Sequence, residues 1–531
     1  MPPRPPARAT EAASPHVTIG AWAIALLAGV APLWLVRDLP LQDLPQHLYV
    51  LAALRHLHDP STLFPKFFEP RPGLTPYVGY YFLVDALARV MPLELANRIF
   101  LTLCVAALPL AVALLLKGLN RPTWPALLTL VLAYGDNFGF GFINYCAALP
   151  LAFVAMGCFL LALTRAGQRA RWSVLLALSM VATLAFHPVP LALLALALPY
   201  LLLTTSAPED ESAGSFGPRL FARLPAIAGT LPAIVIAYAW FQAMRAPALH
   251  EIGTVDLGWG SHWTIQRQGF GQNLHDLPLL LADLFQDGSD RWALRVAAAL
   301  ALLDALVWVL SGRLLRFEEE WLERTRPLGL VLIALVLYFA LPFNIQPVMQ
   351  WLNPRLALPT GALALAAVPR LGGKWLRAFL ALATACAVLL GVTIGAGFQA
   401  FDREAWTLRA LLPVTGPQPV IMGLIYDPHS RVVQQSVYLH SAAVLARLKG
   451  GLPDYTLGAW RQSPIRYRAE PPPQLISNWR PDLFDYAKVG VAYDHFLVRG
   501  ADPAAIFGAR LGRELYVAGH SGEFWLIRRV R

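Results

Sequence analysis

The chain has 531 residues, 56% of them hydrophobic and 14% charged, with a formal net charge of +10. Soluble globular chains carry about 25% charged residues, so the composition excludes an ordinary soluble protein. The positive charge does not mark a nucleic-acid partner, because no basic stripe with interleaved aromatics occurs and the basic residues sit in short loops between apolar runs.

Apolar runs near the ~20 residues that cross a bilayer recur through the first 400 positions. They predict spans at 17–36, 96–116, 124–135, 142–163, 172–186, 189–204, 226–243, 293–311, 328–343, 355–369 and 375–398. The expected fold is a polytopic α-helical membrane protein of about eleven spans (residues 1–400), followed by a C-terminal extracytoplasmic α/β domain (401–531). Arg4 and Arg8 precede a first run too long for a signal-peptide core and without a clear cleavage site, which predicts an uncleaved anchor. Several runs are short enough to be half-depth hairpins. Cys104, Cys146, Cys158 and Cys386 lie in or beside apolar segments and form no disulfide or zinc pattern.

Loop charge predicts orientation. Lys117 and Arg121, then Arg165, Arg169 and Arg171, then Arg219 and Arg223 mark alternate loops; Arg313, Arg316, Arg324 and Arg326, then Arg370 and Lys374 continue the series. The short opposite loops 136–141, 187–188 and 344–354 have no Lys or Arg. This is the positive-inside pattern, and it requires the chain to turn back at His187-Pro188 between two basic loops. It predicts a cytoplasmic N-terminus, with the loops 37–95 and 244–292 and residues 401–531 outside. The polar segment 205–218 is then a cytoplasmic loop.

The outer turns hold the candidate chemistry. The first external loop opens with Asp38 and continues through Asp43-Leu-Pro-Gln-His47. If a helix begins near Leu44, with Pro45 in its first turn, Asp43 is either its N-cap or a general base at the membrane surface. Asp38 has the same two readings. Residues 77–90 are amphipathic and predict an interfacial helix. The turn 134–144 alternates Gly with aromatics; it is either a re-entrant anchor or places Asp136, Asn137 and Asn144 at a substrate cavity. His187 is a helix cap or a phosphate-facing imidazole. Arg355 opens a span on the outer side, as a snorkelling side chain or a phosphate ligand. In loop 244–292, Arg245, His250, Glu251, Asp256, His262, Trp263, Arg267 and His275 occur, but the histidine spacings match no common metal pattern. Neither a metal nor another cofactor is expected.

In the last segment, 420–426 and 486–493 read as strands, 435–448 and 501–511 as helices, and 514–518 with 523–528 as a hairpin around His520-Ser521-Gly522. Chemistry outside a bacterial-type inner membrane has no ATP or nucleotide sugar to draw on, so an activated substrate must arrive attached to lipid.

This organisation resembles the GT-C superfamily of membrane glycosyltransferases: an anchor span, a long external loop with early acids (Asp38 and Asp43), short paired spans and a closing external α/β domain. Many members carry an Asp-Glu pair in that loop; here the residues are Asp43-Leu-Pro-Gln-His47. The resemblance implies a polyprenyl-phosphate-linked sugar as donor and an extracytoplasmic glycan, lipid or protein as acceptor. It implies Asp43 as base with Asp38 as partner, and His47, His187 and Arg355 near the phosphate. Two other readings stay open: a lipid or solute transporter or flippase, for which Asp304 is the main ionisable residue deep in a span, and a non-catalytic envelope assembly protein.

Overall fold

The computed structural model describes residues 15–71, 73, 75–205, 216–245, 263–310, 321–346, 349–368, 374–475 and 477–530. Arg4, Arg8, His250, Glu251, Asp256, His262, Arg313, Arg316, Arg370 and most of the 205–218 loop lie outside them.

The chain is a bundle of apolar helices with a smaller α/β unit at one end. Among the described residues, six helical segments are long and apolar enough to cross a membrane: His16–Trp34, Leu93–Gly118, Ile143–Thr164, Ala166–Phe186, Arg223–Ala243 and Trp375–Arg409. Val78–Ala88, Val189–Thr204 and Thr325–Ala340 are apolar but shorter. The structure is therefore that of a polytopic helical membrane protein. Two of the expected spans are short pieces: 124–135 contains the 3-10 helix Trp124–Leu132, and 355–369 holds the ten-residue helix Ala357–Ala366. The expected span 226–243 is broken near Gly229 and Thr230, between helices Phe216–Ala228 and Leu231–Arg245.

In chain order, α1 is Pro15–Val30, α2 Leu44–Arg55, α3 Phe64–Phe67, α4 Val78–Ala88 and α5 Leu93–Gly118. Then come α6 Asp136–Gly139, α7 Ile143–Thr164, α8 Arg169–Phe186 and α9 Val189–Thr204. Helices α5 and α7 approach backbone to backbone. A Cβ on Gly157 would lie 3.0 Å from the Leu114 carbonyl, and one on Gly118 would lie 3.0 Å from the Gly157 oxygen. In lipid, where apolar area drives no association between helices, small residues of this kind permit tight packing.

The helix beginning at Lys374 runs unbroken to Arg409, through the expected boundary at 400. Beyond it stands a five-stranded mixed sheet. Its strands are Val420–Ile425, Leu452–Pro453, His495–Arg499, Leu515–Ser521 and Phe524–Arg529, and the first lies parallel to the second and third. The last two form the expected antiparallel hairpin next to His495–Arg499. The helix expected at 435–448 forms only over Ser441–Lys449. The strand expected at 486–493 is instead irregular, with a 3-10 turn at Gly490–Ala492; the strand follows at His495–Arg499. A Cβ on Gly490 would lie 2.7 Å from the Tyr486 ring, so the chain folds back there and does not extend.

The first loop and the C-terminal unit are stitched together. Phe68–Pro70 pairs antiparallel with Ile465–Tyr467, and Glu69 bonds Arg466 at 2.7 Å. Glu94 bonds Arg447 at 2.6 Å. Residues 284–286 exchange backbone hydrogen bonds with Val432 and Gln434. These ties fix the C-terminal unit over the turns that carry the candidate chemistry.

Candidate functional site

Helix α2 begins as its sequence leads one to expect, with Pro45 in the first turn. Asp43 holds the N-cap position, yet its side chain makes no capping bond. The backbone does that work: the Asp43 carbonyl accepts from Gln46 and His47 N–H, both at 3.1 Å. The carboxylate is left to face a cavity of about 210 Å³.

A second loop sets its position. The Gln42 and Asp43 N–H groups donate to the carbonyls of Gly139 and Phe140 at 2.9 and 3.0 Å. The contact needs Gly141, whose φ is +80° and whose added Cβ would sit 3.0 Å from the Asp43 nitrogen. A side chain there would meet both the left-handed penalty and the facing backbone. The alternating Gly and aromatic residues of this turn thus let it fold against the start of α2.

The cavity brings together Asp43, His47, Asn144, His187 and Arg355, with Tyr77, Tyr81 and Tyr145 among the walls and Trp460 and Ser463 from the C-terminal unit. The other two candidates are elsewhere. Asp38 forms a two-pronged ion pair with Arg409, and its N–H donates to Asp402 at 2.7 Å. Asp136 accepts a bond from Gln435 at 3.2 Å, and burial pushes its carboxyl up to about 7. Both tie the helical bundle to the C-terminal end and neither lines the cavity.

Arg355 is the cavity's one Lys or Arg among the described residues. Its Nη1 donates to the carbonyls of Gln350 and Trp351 at 2.5 and 2.9 Å, and its guanidinium stands 4.1 Å over the Phe142 ring. Its Nε is buried without a partner, and no carboxylate pairs with it among the described residues. Burial pulls its pKa down, and Tyr77, Tyr145 and Asp43 counter that by Coulomb attraction. A buried cation without a counter-ion is costly, which makes the site receptive to an anion.

The histidines are neutral hydrogen-bonding groups. His187 Nδ1 accepts from the Val189 N–H at 3.1 Å, which puts the proton on Nε2. Burial and then Arg355 drive its pKa well below the ordinary value. Tyr77 and Tyr145 lie edge-on, with centroids 4.7 and 5.4 Å from its ring. His47 Nδ1 lies 2.8 Å from the Tyr81 hydroxyl. Burial lowers its pKa to about 4, against the opposing pull of Asp43. Asn144 accepts from the Tyr80 N–H at 3.3 Å, and its amide nitrogen has no protein partner among the described residues.

One important neighbour was not expected from sequence. His440, 7% exposed, reaches from the C-terminal unit and places Nε2 3.4 Å from Asp43 Oδ1. Gln46 fixes its tautomer. The Gln46 oxygen accepts from the Leu457 N–H at 3.2 Å, so its nitrogen is the end that donates to the Tyr455 carbonyl at 3.0 Å and faces His440 Nδ1 at 3.4 Å. His440 Nδ1 is therefore the acceptor from Gln46, and Nε2 is the nitrogen on the Asp43 side, 3.4 Å from Oδ1. The Tyr455 ring stacks on the imidazole at 5.6 Å. A histidine in a short apolar helix start carries no sequence signal for this role.

The fold and the site describe a multi-pass membrane protein with a polar pocket roofed by its C-terminal α/β unit. The chain is similar in fold to ArnT from Cupriavidus metallidurans in the apo state, at 13% identity and a TM-score of 0.43, over 96% of this chain and 97% of that one. It is also similar to ArnT from the same organism bound to undecaprenyl phosphate, at 12% identity and a TM-score of 0.45, over 98% and 99% of the two chains. No family model and no curated protein matches the chain.

Proposed function

We propose that the chain is a membrane glycosyltransferase of the GT-C type, acting on the extracytoplasmic face of a bacterial inner membrane. Its donor is a sugar on polyprenyl phosphate and its acceptor an extracytoplasmic glycan, lipid or protein. The observation that carries this reading is the pairing, in one cavity, of a carboxylate released from its capping duty (Asp43) and a buried guanidinium without a counter-ion (Arg355).

The two groups suit the two ends of one displacement. Asp43 takes the proton of the acceptor hydroxyl. The hydroxyl oxygen forms a bond to the anomeric carbon as the bond from that carbon to the phosphate oxygen breaks. The electron pair leaves on the polyprenyl phosphate, whose charge Arg355 receives, with His187 Nε2–H and the Asn144 amide as neutral donors. His440 holds one oxygen of Asp43 and leaves the other for the proton. The cytoplasmic N-terminus and the outer placement of the C-terminal unit follow from the loop charges.

A transporter reading has one observation in its favour. Asp304 is fully buried, and neither carboxylate oxygen has a hydrogen-bond partner among the described residues. Loss of proton-coupled uptake in Asp304→Asn with sugar transfer absent in the parent would favour it.

The test of the proposal uses the full chain in nanodiscs with a radiolabelled polyprenyl-phosphate sugar. Supplied with a bacterial envelope extract as the source of acceptor hydroxyls, the parent transfers the sugar and releases polyprenyl phosphate; Asp43→Asn binds the donor but releases polyprenyl phosphate about 10²–10⁴-fold more slowly. Undiminished release from Asp43→Asn would remove Asp43 as base.

A further inference from the structure

A second cavity, of about 970 Å³, is separate from the one that holds Asp43. It is a groove at the other end of α2, between the 56–64 segment and the C-terminal unit. Three features of its lining point the same way.

Its carboxylates are already satisfied. Asp59 accepts from the Ser61 N–H and hydroxyl at 2.9 and 2.6 Å and lies 3.3 Å from His56. Glu94 is bonded to Arg447 at 2.6 Å. Two cations remain over: Lys449 and Arg528 line the groove with no carboxylate partner among the described residues. The wall beside them is apolar and open. Tyr516 and Val517 are 40% and 43% exposed, and Val414 and Leu448 are 37% exposed each. Arg528 lies 6.0 Å over the Tyr516 ring, so the cation and the aromatic face form one surface.

An aromatic and aliphatic wall beside two uncompensated cations suits a ligand with apolar C–H faces and an anionic substituent. Pyranose rings offer the first, and a phosphate offers the second in a form that Arg and Lys both bind. We infer that this groove is a binding site for a phosphate-bearing saccharide. Helix α2 has 12 residues, so its two ends stand about 18 Å apart. The groove and the Asp43 cavity share no lining residue, so an acceptor held in the groove must span about that length to bring a hydroxyl to Asp43. The acceptor role rests on the transferase reading; the binding of a sugar phosphate does not.

The experiment is a binding titration on the full chain in nanodiscs by saturation-transfer NMR. The probes are glucose 6-phosphate, glucose and inorganic phosphate. Glucose 6-phosphate is expected to bind at least about tenfold more tightly than either half alone, and to weaken at least about tenfold in Lys449→Gln/Arg528→Gln. Tyr516→Ala, away from the cations' own bonds, is expected to reduce saturation of the sugar protons. Thermal melting checks that each variant is folded, and Lys449→Gln alone serves if the pair is not. Equal binding of inorganic phosphate, or unchanged binding in the cation and Tyr516 variants, would overturn the site. The binding results stand apart from catalysis: slowed release of polyprenyl phosphate in the groove variants supports the acceptor role, parent-like release in them defeats that role and leaves the binding site, and parent-like release in Asp43→Asn defeats only the transferase reading.

Discussion

Asp38 and Asp43 sit five residues apart in the same loop, and their surroundings could hardly differ more. Asp38 is gripped by both nitrogens of Arg409, while its backbone is held by Asp402. Asp43 has no Lys or Arg partner; it has a histidine on one oxygen and a cavity before it. A carboxylate already neutralised by a bidentate cation stabilises the fold and is a poor proton acceptor. A carboxylate that faces a cavity with an imidazole beside it is available. Proximity in sequence says nothing about this difference; the partners, all from the far end of the chain, decide it.

The contrast can be pressed from either side. The largest expected effect after Asp43 itself belongs to Arg355. Arg355→Gln should slow release of polyprenyl phosphate by about 10²–10³-fold with little change in melting temperature, and Arg355→Lys should restore only part of it, since the fork geometry is lost. Steady-state and single-turnover rates on one donor check both. His440→Ala should lower kcat by roughly tenfold with little change in KM, because Asp43 loses the neighbour that sets its position. His440→Gln, which can still donate, should recover much of the rate. Equal loss in both variants would reduce His440 to packing.

Asp38→Asn should do the opposite. It breaks a partly buried ion pair and should cost about 1–3 kcal/mol of stability, while the folded fraction keeps its kcat. Denaturation monitored alongside turnover separates the two effects. The smallest effect concerns acid. Folding lowers the His47 pKa from 6.5 to about 4, so between those values the unfolded chain binds a proton that the folded chain refuses. This contribution to stability is complete above about 6.5 and falls as pH drops toward 4. His47→Gln should flatten that part of the stability curve.

Much of this was legible in the sequence, for identifiable reasons. The turn at His187-Pro188 separates α8 from α9 as loop charge and proline demand. The start of α2 follows from Pro45, and its faces place Asp43 and His47 one turn apart. The cavity residues from the helical bundle were found because polar groups at apolar helix ends are conspicuous. The rest depended on distant partners. Asp38 was read as the partner of Asp43 because nothing near it in sequence shows Arg409, which lies at the far end of the helix Lys374–Arg409. The strand His495–Arg499 was hidden because it buries a histidine and an arginine, and Arg499 is tolerated through Glu523 at 2.6 Å, Asp427 at 3.2 Å and the Tyr438 ring beneath it. His440 was invisible for the same reason: its meaning comes from Gln46 and Asp43, which the fold alone brings to it.

The most direct measurement sets the two acids against each other in one assay. Release of polyprenyl phosphate from a lipid-linked sugar is followed in Asp43→Asn and Asp38→Asn, each normalised to the folded fraction. The account predicts that Asp43→Asn loses at least about 10²-fold and that Asp38→Asn stays near the parent. Parent-like release in Asp43→Asn, or equal losses in both, would contradict it.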